Sequence, residues 1–147
     1  MTTTHAAAVL IGSKAVLIRG ASGAGKSGTA WLLIEAGRRQ VLPFARLVGD
    51  DRVQLQTTHG RLLVRPAEAL AGLIEIRGLG IRRVDFEPVA VVGLVLDLGP
   101  PQPERLPPPQ AAETTLEGVL LPRIAAASPE AALPALIAFL QTEASGH

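Results

Sequence analysis

The chain has 147 residues, 48% hydrophobic and 18% charged. That balance excludes a disordered polymer, and the length suffices to bury a core without metal or crosslink. With no cysteine, disulfides and thiolate metal sites are excluded and a cytoplasmic setting is expected. Fourteen basic against thirteen acidic residues leave a formal charge of +1. There is no basic block of the kind that grips nucleic acid and no apolar run of membrane-spanning length, so neither partner is expected.

In chain order, "AAAVLI" and "AVLIR", separated by "GSK", predict two short strands joined by a turn. "GASGAGKS" follows at residues 20–27. "SGTAWLLIEAGRR" then carries apolar residues at helical spacing, with Gly37 placed to stop the helix. "RQVLPF" reads as a surface connection, and "ARLV" as a buried strand running into "GDD". "RVQLQT", "HG" and "RLLVR" predict a hairpin, "PAEALAG" a short helical turn, and "LIEIR" and "IRRVDFE" further strands. "VAVVGLVLDL" has the continuous apolar run expected of a central strand. From Gly99 to Gln110 six of the twelve prolines cluster, which predicts an exposed loop at 99–110. "TTLEGVLLPRI" reads as one returning strand, and "SPEAALPALIAFLQ" opens with Ser and Pro at N-cap and N1 positions before a C-terminal helix. The expected architecture is a single α/β domain over 1–147, a P-loop nucleotide-binding fold with a mixed sheet and few helices.

Gly20, Gly25, Lys26 and Ser27 satisfy G-x-x-x-x-G-K-[ST], with a strand before and a helix after. The chemistry follows from the residue types. Glycines let backbone N–H groups converge on phosphate oxygens, so Gly20, Ala21, Ser22, Gly23, Ala24 and Gly25 form the expected cradle. Lys26 bridges the terminal phosphates and Ser27 holds Mg²⁺. No asparagine occurs anywhere, so the Asn-Lys-x-Asp reader of guanine is absent and ATP is the expected nucleotide.

Asp50 and Asp51 stand just past an apolar strand, where such sheets present groups to bound phosphates. Two adjacent carboxylates suggest a division of labour, one serving the metal and the other taking a proton from an attacking hydroxyl. Solvated acids at a strand end are the plainer alternative. Glu75 and Arg77 lie in "LIEIRGLGI", readable as a solvent-facing strand edge or as a second metal ligand beside a phosphate-binding arginine. Arg82 and Arg83 fit either account.

These pieces together resemble the HPr kinase/phosphorylase family. The resemblance rests on "HAAAVLIGSKAVLIRGASGAGKS", "RLVGDDRV" and above all "EIRGLGI", in that order, and spans residues 5 to about 97. It implies ATP-dependent phosphorylation of a seryl hydroxyl on the phosphocarrier protein HPr, reversal by phosphorolysis, and assembly as a homo-oligomeric ring such as a hexamer. By position it implies Asp50 as the base, Asp51 as its neighbour in the catalytic pair and a metal ligand, Glu75 as a magnesium ligand and Arg77 as part of the same motif. His5 stands where the family's active-site histidine does. The resemblance is to a short form that begins at the kinase core. It fades beyond Leu98, where "VLLPRI" leaves Arg123 as a faint match to the segment used for catalysis and docking. An ATP-binding regulatory module with little turnover and a small-molecule kinase are the competing readings.

Overall fold

The computed structural model describes residues 1–99 and 109–142, so most of the expected Pro-rich loop at 99–110 lies outside the described residues. The strands are β1 (Thr2–Thr4), β2 (Ala7–Ile11), β3 (Lys14–Gly20), β4 (Ala45–Gly49), β5 (Val53–Thr58), β6 (Arg61–Pro66), β7 (Leu73–Ile76), β8 (Gly80–Arg83), β9 (Ala90–Leu98), β10 (Glu113–Leu116) and β11 (Val119–Ala126). The helices are α1 (Lys26–Arg38) and α2 (Pro129–Gln141). Nine strands form one mixed sheet in the order β1-β5-β6-β9-β3-β2-β4, with β11 added to β9 and β10 to β11. β7 and β8 form a separate two-stranded hairpin.

Pairing directions decide which edge of the sheet is chemically interesting. β3 is parallel to β9, and β9 to β11. β2 is antiparallel to both β3 and β4, so β4 runs with β3. Four strands therefore end on one edge, at Gly20, Gly49, Leu98 and Ala126. In open α/β sheets that carboxyl-end edge is where ligands bind.

The two faces of the sheet bury separate apolar sets, as alternating side chains require. Val9, Ile11, Val16, Ile18, Leu94 and Leu96 face the helices and pack with Leu33, Ile34 and Leu136. Ala8, Leu17, Val92 and Val95 face the other way, against Val53, Leu55, Leu62 and Val64 of the β5–β6 hairpin. In β9 the alternation changes phase between Val92 and Leu94, because the β3–β9 register slips there and Gly93 is the extra residue. A Cβ on Gly93 would stand 2.7 Å from the Lys14 Cβ, so the bulge is also a point of close approach.

Several expectations are met: the β2–β3 hairpin, β9 at the sheet centre, the 3₁₀ turn at Glu68–Leu70 and the Ser128-capped α2. The β5–β6 turn has positive φ at both His59 and Gly60, the geometry a two-residue hairpin favours. Others need correction. Gly37 does not stop α1, which continues to Arg38. Its Cβ would lie 2.5 Å from the Ala45 Cβ, so the glycine admits β4 against the helix. "TTLEGVLLPRI" is two strands rather than one, since Glu117 and Gly118 both take positive φ and turn the chain. "IRRVDFE" supplies only the end of β8, and its remainder runs beside β4 through a single Leu47–Phe86 bridge. β1 is an additional strand that composition alone did not signal, three threonines paired along β5.

Candidate active site

Residues 20–27 leave the end of β3 and enter α1 through two left-handed glycines, Gly23 (φ 85°) and Gly25 (φ 102°). Ala24 N–H donates to the Ala21 carbonyl at 3.0 Å, closing a tight turn. Gly20 cannot carry a side chain here, since a Cβ would meet the Leu98 carbonyl oxygen at 2.9 Å. Gly25 is constrained twice, by its φ and by the Pro129 ring, whose Cγ would lie 2.6 Å from an added Cβ. No side chain caps α1, and its first turn holds no acid. α2, by contrast, is capped by the Ser128 hydroxyl, which accepts from Ala131 N–H at 3.2 Å. The first-turn amides of α1 are the donors to which an anion could bind.

Lys26 lies across the loop, its ammonium donating to the Gly20 carbonyl at 2.8 Å and to that of Ala21 at 3.2 Å. The Ser27 hydroxyl lies 2.8 Å from both carboxylate oxygens of Asp50. Asp50 Oδ2 also accepts from the Glu75 backbone N–H at 3.1 Å. The structure thus brings three separate motifs, the glycine loop, the Asp pair and the β7 segment, to one buried carboxylate, which is 4% exposed.

The other expected residues are placed less centrally. Asp51 occupies a left-handed turn (φ 69°), and its exposed carboxylate sits 3.7 Å from Arg52 rather than at Ser27. The expected metal set of Ser27, Asp51 and Glu75 is therefore not assembled. Among the described residues no cluster of three or more His, Cys, Asp or Glu is arranged to hold a metal. The reason is geometric, because the turn after β4 sends consecutive side chains in different directions. Glu75 is joined to the site through its amide, and its side chain is exposed on β7. Arg77 is exposed in the β7–β8 turn with Gly78 and Leu79. His5 is exposed one residue past the Thr4–Val53 pair, at the same edge as the Asp50–Asp51 turn. Arg83 lines a cleft of about 850 Å³ with Arg38, Arg46 and Phe86. Arg38 ends α1, so that cleft lies roughly 20 Å along the helix from Lys26.

Sequence reasoning singled out Arg123 but missed the charged group to which it belongs on this edge. Arg19 Nε and Nη2 donate to the two oxygens of Asp97, both at 2.8 Å. Arg123 Nε donates to Asp97 Oδ2 at 2.5 Å, and its Nη1 to the Ala111 carbonyl at 2.9 Å. Burial by itself raises the Asp97 carboxyl, but hydrogen bonds from Arg19 and Arg123 and their charges outweigh it and hold the group below the usual carboxylate range. The signal was present in the sequence, since "AVLIR" and "VLDL" each carry one charge near the end of an otherwise apolar strand. Only the parallel β3–β9 register shows that the two charges face each other.

Taken as a class, this is an α/β chain with a glycine loop, a lysine and a buried carboxylate gathered at the carboxyl edge of a mixed sheet. The family model of the HPr Serine kinase C-terminal domain matches residues 1–87, and the chain belongs to that family. It is 46% identical over 81 residues to an HPr kinase/phosphorylase of Streptococcus thermophilus, covering 54% of this chain and 24% of that protein. With the HPr kinase/phosphorylase of Lactococcus lactis subsp. lactis it shares 42% identity over 97 residues, 65% of this chain and 28% of the relative. The chain thus spans about a quarter of the length of these curated relatives. The structure of the HPr(Ser) kinase/phosphatase from Coxiella burnetii superposes with a TM-score of 0.72 at 28% identity, covering 93% of this chain and 91% of that one.

Proposed function

We propose that the chain is a magnesium-dependent ATP kinase that phosphorylates a serine hydroxyl of an HPr-like phosphocarrier protein, its described elements acting as one kinase-type domain. The observation that carries this reading is the contact of Ser27 with both oxygens of the buried Asp50. In the glycine-loop motif that serine stands at the terminal phosphates, so a carboxylate on its hydroxyl is within reach of the transfer.

The residues fit the nucleotide and the ion. Left-handed glycines, uncapped first-turn amides and an ammonium already held over the loop suit a triphosphate. Mg²⁺ needs one or two protein oxygens beside phosphate and water, so Ser27 with Asp50 or Glu75 suffices without a three-acid cluster. Bound magnesium would offset charge at the terminal phosphates.

The chain's own groups do the rest. Lys26 exchanges its carbonyl partners for phosphate oxygens, and the loop amides fix the phosphate chain. Asp50 takes the proton of the incoming seryl hydroxyl, and in phosphorolysis the same carboxyl returns it to the departing serine oxygen. In this reading Asp51, exposed beside Arg52, and His5, exposed at the same edge, contact the phosphocarrier rather than the metal. Arg77, exposed two residues past the Glu75 amide that meets Asp50, is the arginine this reading assigns to the nucleotide phosphates.

The test is transfer of labelled γ-phosphate from ATP to HPr-like carriers, with Asp50→Asn as control. Label on serine that Asp50→Asn abolishes supports the kinase. Tight ATP binding with no carrier labelled overturns it in favour of a regulatory module, and label on a metabolite overturns it in favour of a small-molecule kinase.

A further inference from the structure

We infer that Asp97, gripped between Arg19 and Arg123, is a positioning residue for the glycine loop, and that the chain beyond the family match is thereby part of the nucleotide site. The family model ends at residue 87, whereas Asp97, Arg123 and Pro129 all lie after it. This inference rests on the nucleotide reading above.

The geometry is specific. Arg19 is the residue before Gly20, and Arg19 pairs in register with Asp97 as Gly20 does with Leu98. The two-pronged contact from Arg19 therefore acts one residue ahead of the loop. The backbones there approach without slack, because the Leu98 carbonyl leaves no room for a Cβ on Gly20. The Gly20 carbonyl in turn holds the Lys26 ammonium. Arg123 brings β11 to the same carboxylate and also reaches the Ala111 carbonyl, so one acid ties three parallel strands and the chain returning after residue 108. The far end of the loop is backed by the same C-terminal segment, Pro129 packing on Gly25.

Strand packing alone does not call for such a group. Apolar side chains of similar size hold buried strands at least as firmly as ions, which must give up their hydration. What a forked arginine adds is direction, since two parallel N–H···O bonds fix the plane of the guanidinium and the backbone behind it. At this position, that backbone is the start of the loop.

Nucleotide affinity separates this role from a general structural or electrostatic one. Asp97→Asn makes the neighbourhood more positive by one charge, so field effects alone would tighten binding of an anion. Calorimetric titration of the full chain with Mg²⁺ and a non-hydrolysable ATP analogue should instead show weakening by roughly tenfold, the equivalent of about one charge-assisted hydrogen bond. Asp97→Glu should recover part of the loss. Arg19→Gln with Asp97→Asn should be no worse than Asp97→Asn alone, because partners in one network are not additive. Val64→Ala, a core change on the β5–β6 hairpin, should lower stability yet leave affinity within about twofold. Folded Asp97→Asn that binds as tightly as the natural chain, or more tightly, overturns the inference. If Asp97→Asn does not fold, Arg19→Lys keeps the charge but loses the fork, and unchanged affinity there overturns it equally. A natural chain that binds no nucleotide overturns the site reading itself, a result distinct from any variant effect.

Discussion

A carboxylate as buried as Asp50 needs hydrogen-bond donors, and it has two, the Ser27 hydroxyl and the Glu75 amide. Asp50→Asn keeps the shape and removes the proton acceptor. Phosphate transfer to the carrier is expected to fall by roughly 10²- to 10⁴-fold, the usual span for a lost general base, while circular dichroism shows an intact fold. At Gly25 the constraint is steric. Gly25→Ala forces a Cβ into the left-handed region and against the Pro129 ring at 2.6 Å. The expected cost is about 1–3 kcal/mol, read as a lower urea midpoint, together with loss of nucleotide binding. Both residues were visible in the sequence, Gly25 from its motif and Asp50 from its place after a buried strand. Which of the two aspartates turns inward was not visible, because that depends on the φ of Asp51.

The two helices begin differently, and the difference follows their use. α2 starts with a serine cap followed by proline, whereas α1 starts from a bare glycine and leaves its first amides without a side-chain partner. Ser128→Ala should cost about 1 kcal/mol, the usual value of such a cap. For a chain of this size that lowers Tm by roughly 2–4 °C, measurable by thermal denaturation. Gly37→Ala would ordinarily strengthen a helix, but here the new methyl meets Ala45 at 2.5 Å. Overpacking wins by about 1–3 kcal/mol, and the midpoint of unfolding should fall rather than rise.

Across the whole molecule, the ion group of Arg19, Asp97 and Arg123 links stability to pH. Because Asp97 is held below its ordinary value when folded, the unfolded chain takes up that proton first as pH drops. The group's contribution is fully present above the unfolded value, about 3.9, and is lost as pH falls through the lower folded one. Asp97→Asn removes this dependence. Urea midpoints measured from neutral pH downward should converge for the natural chain and the variant at the acid end. At neutral pH they should be separated, the natural chain being the more stable.

What the sequence determined by itself was local. Two apolar runs around a short turn specify a hairpin, a glycine-rich octapeptide specifies a tight loop between strand and helix, and Ser-Pro before an amphipathic stretch specifies a capped helix. Each signal depends on neighbours within a few residues. The tertiary structure alone decided which distant groups meet. Ser27, Asp50 and Glu75 converge, and Arg19 meets Asp97 and Arg123, because β3, β4, β9 and β11 run in one direction and end on one edge. Strand direction and register are set by packing on both faces of the sheet at once, which no short window of residues contains.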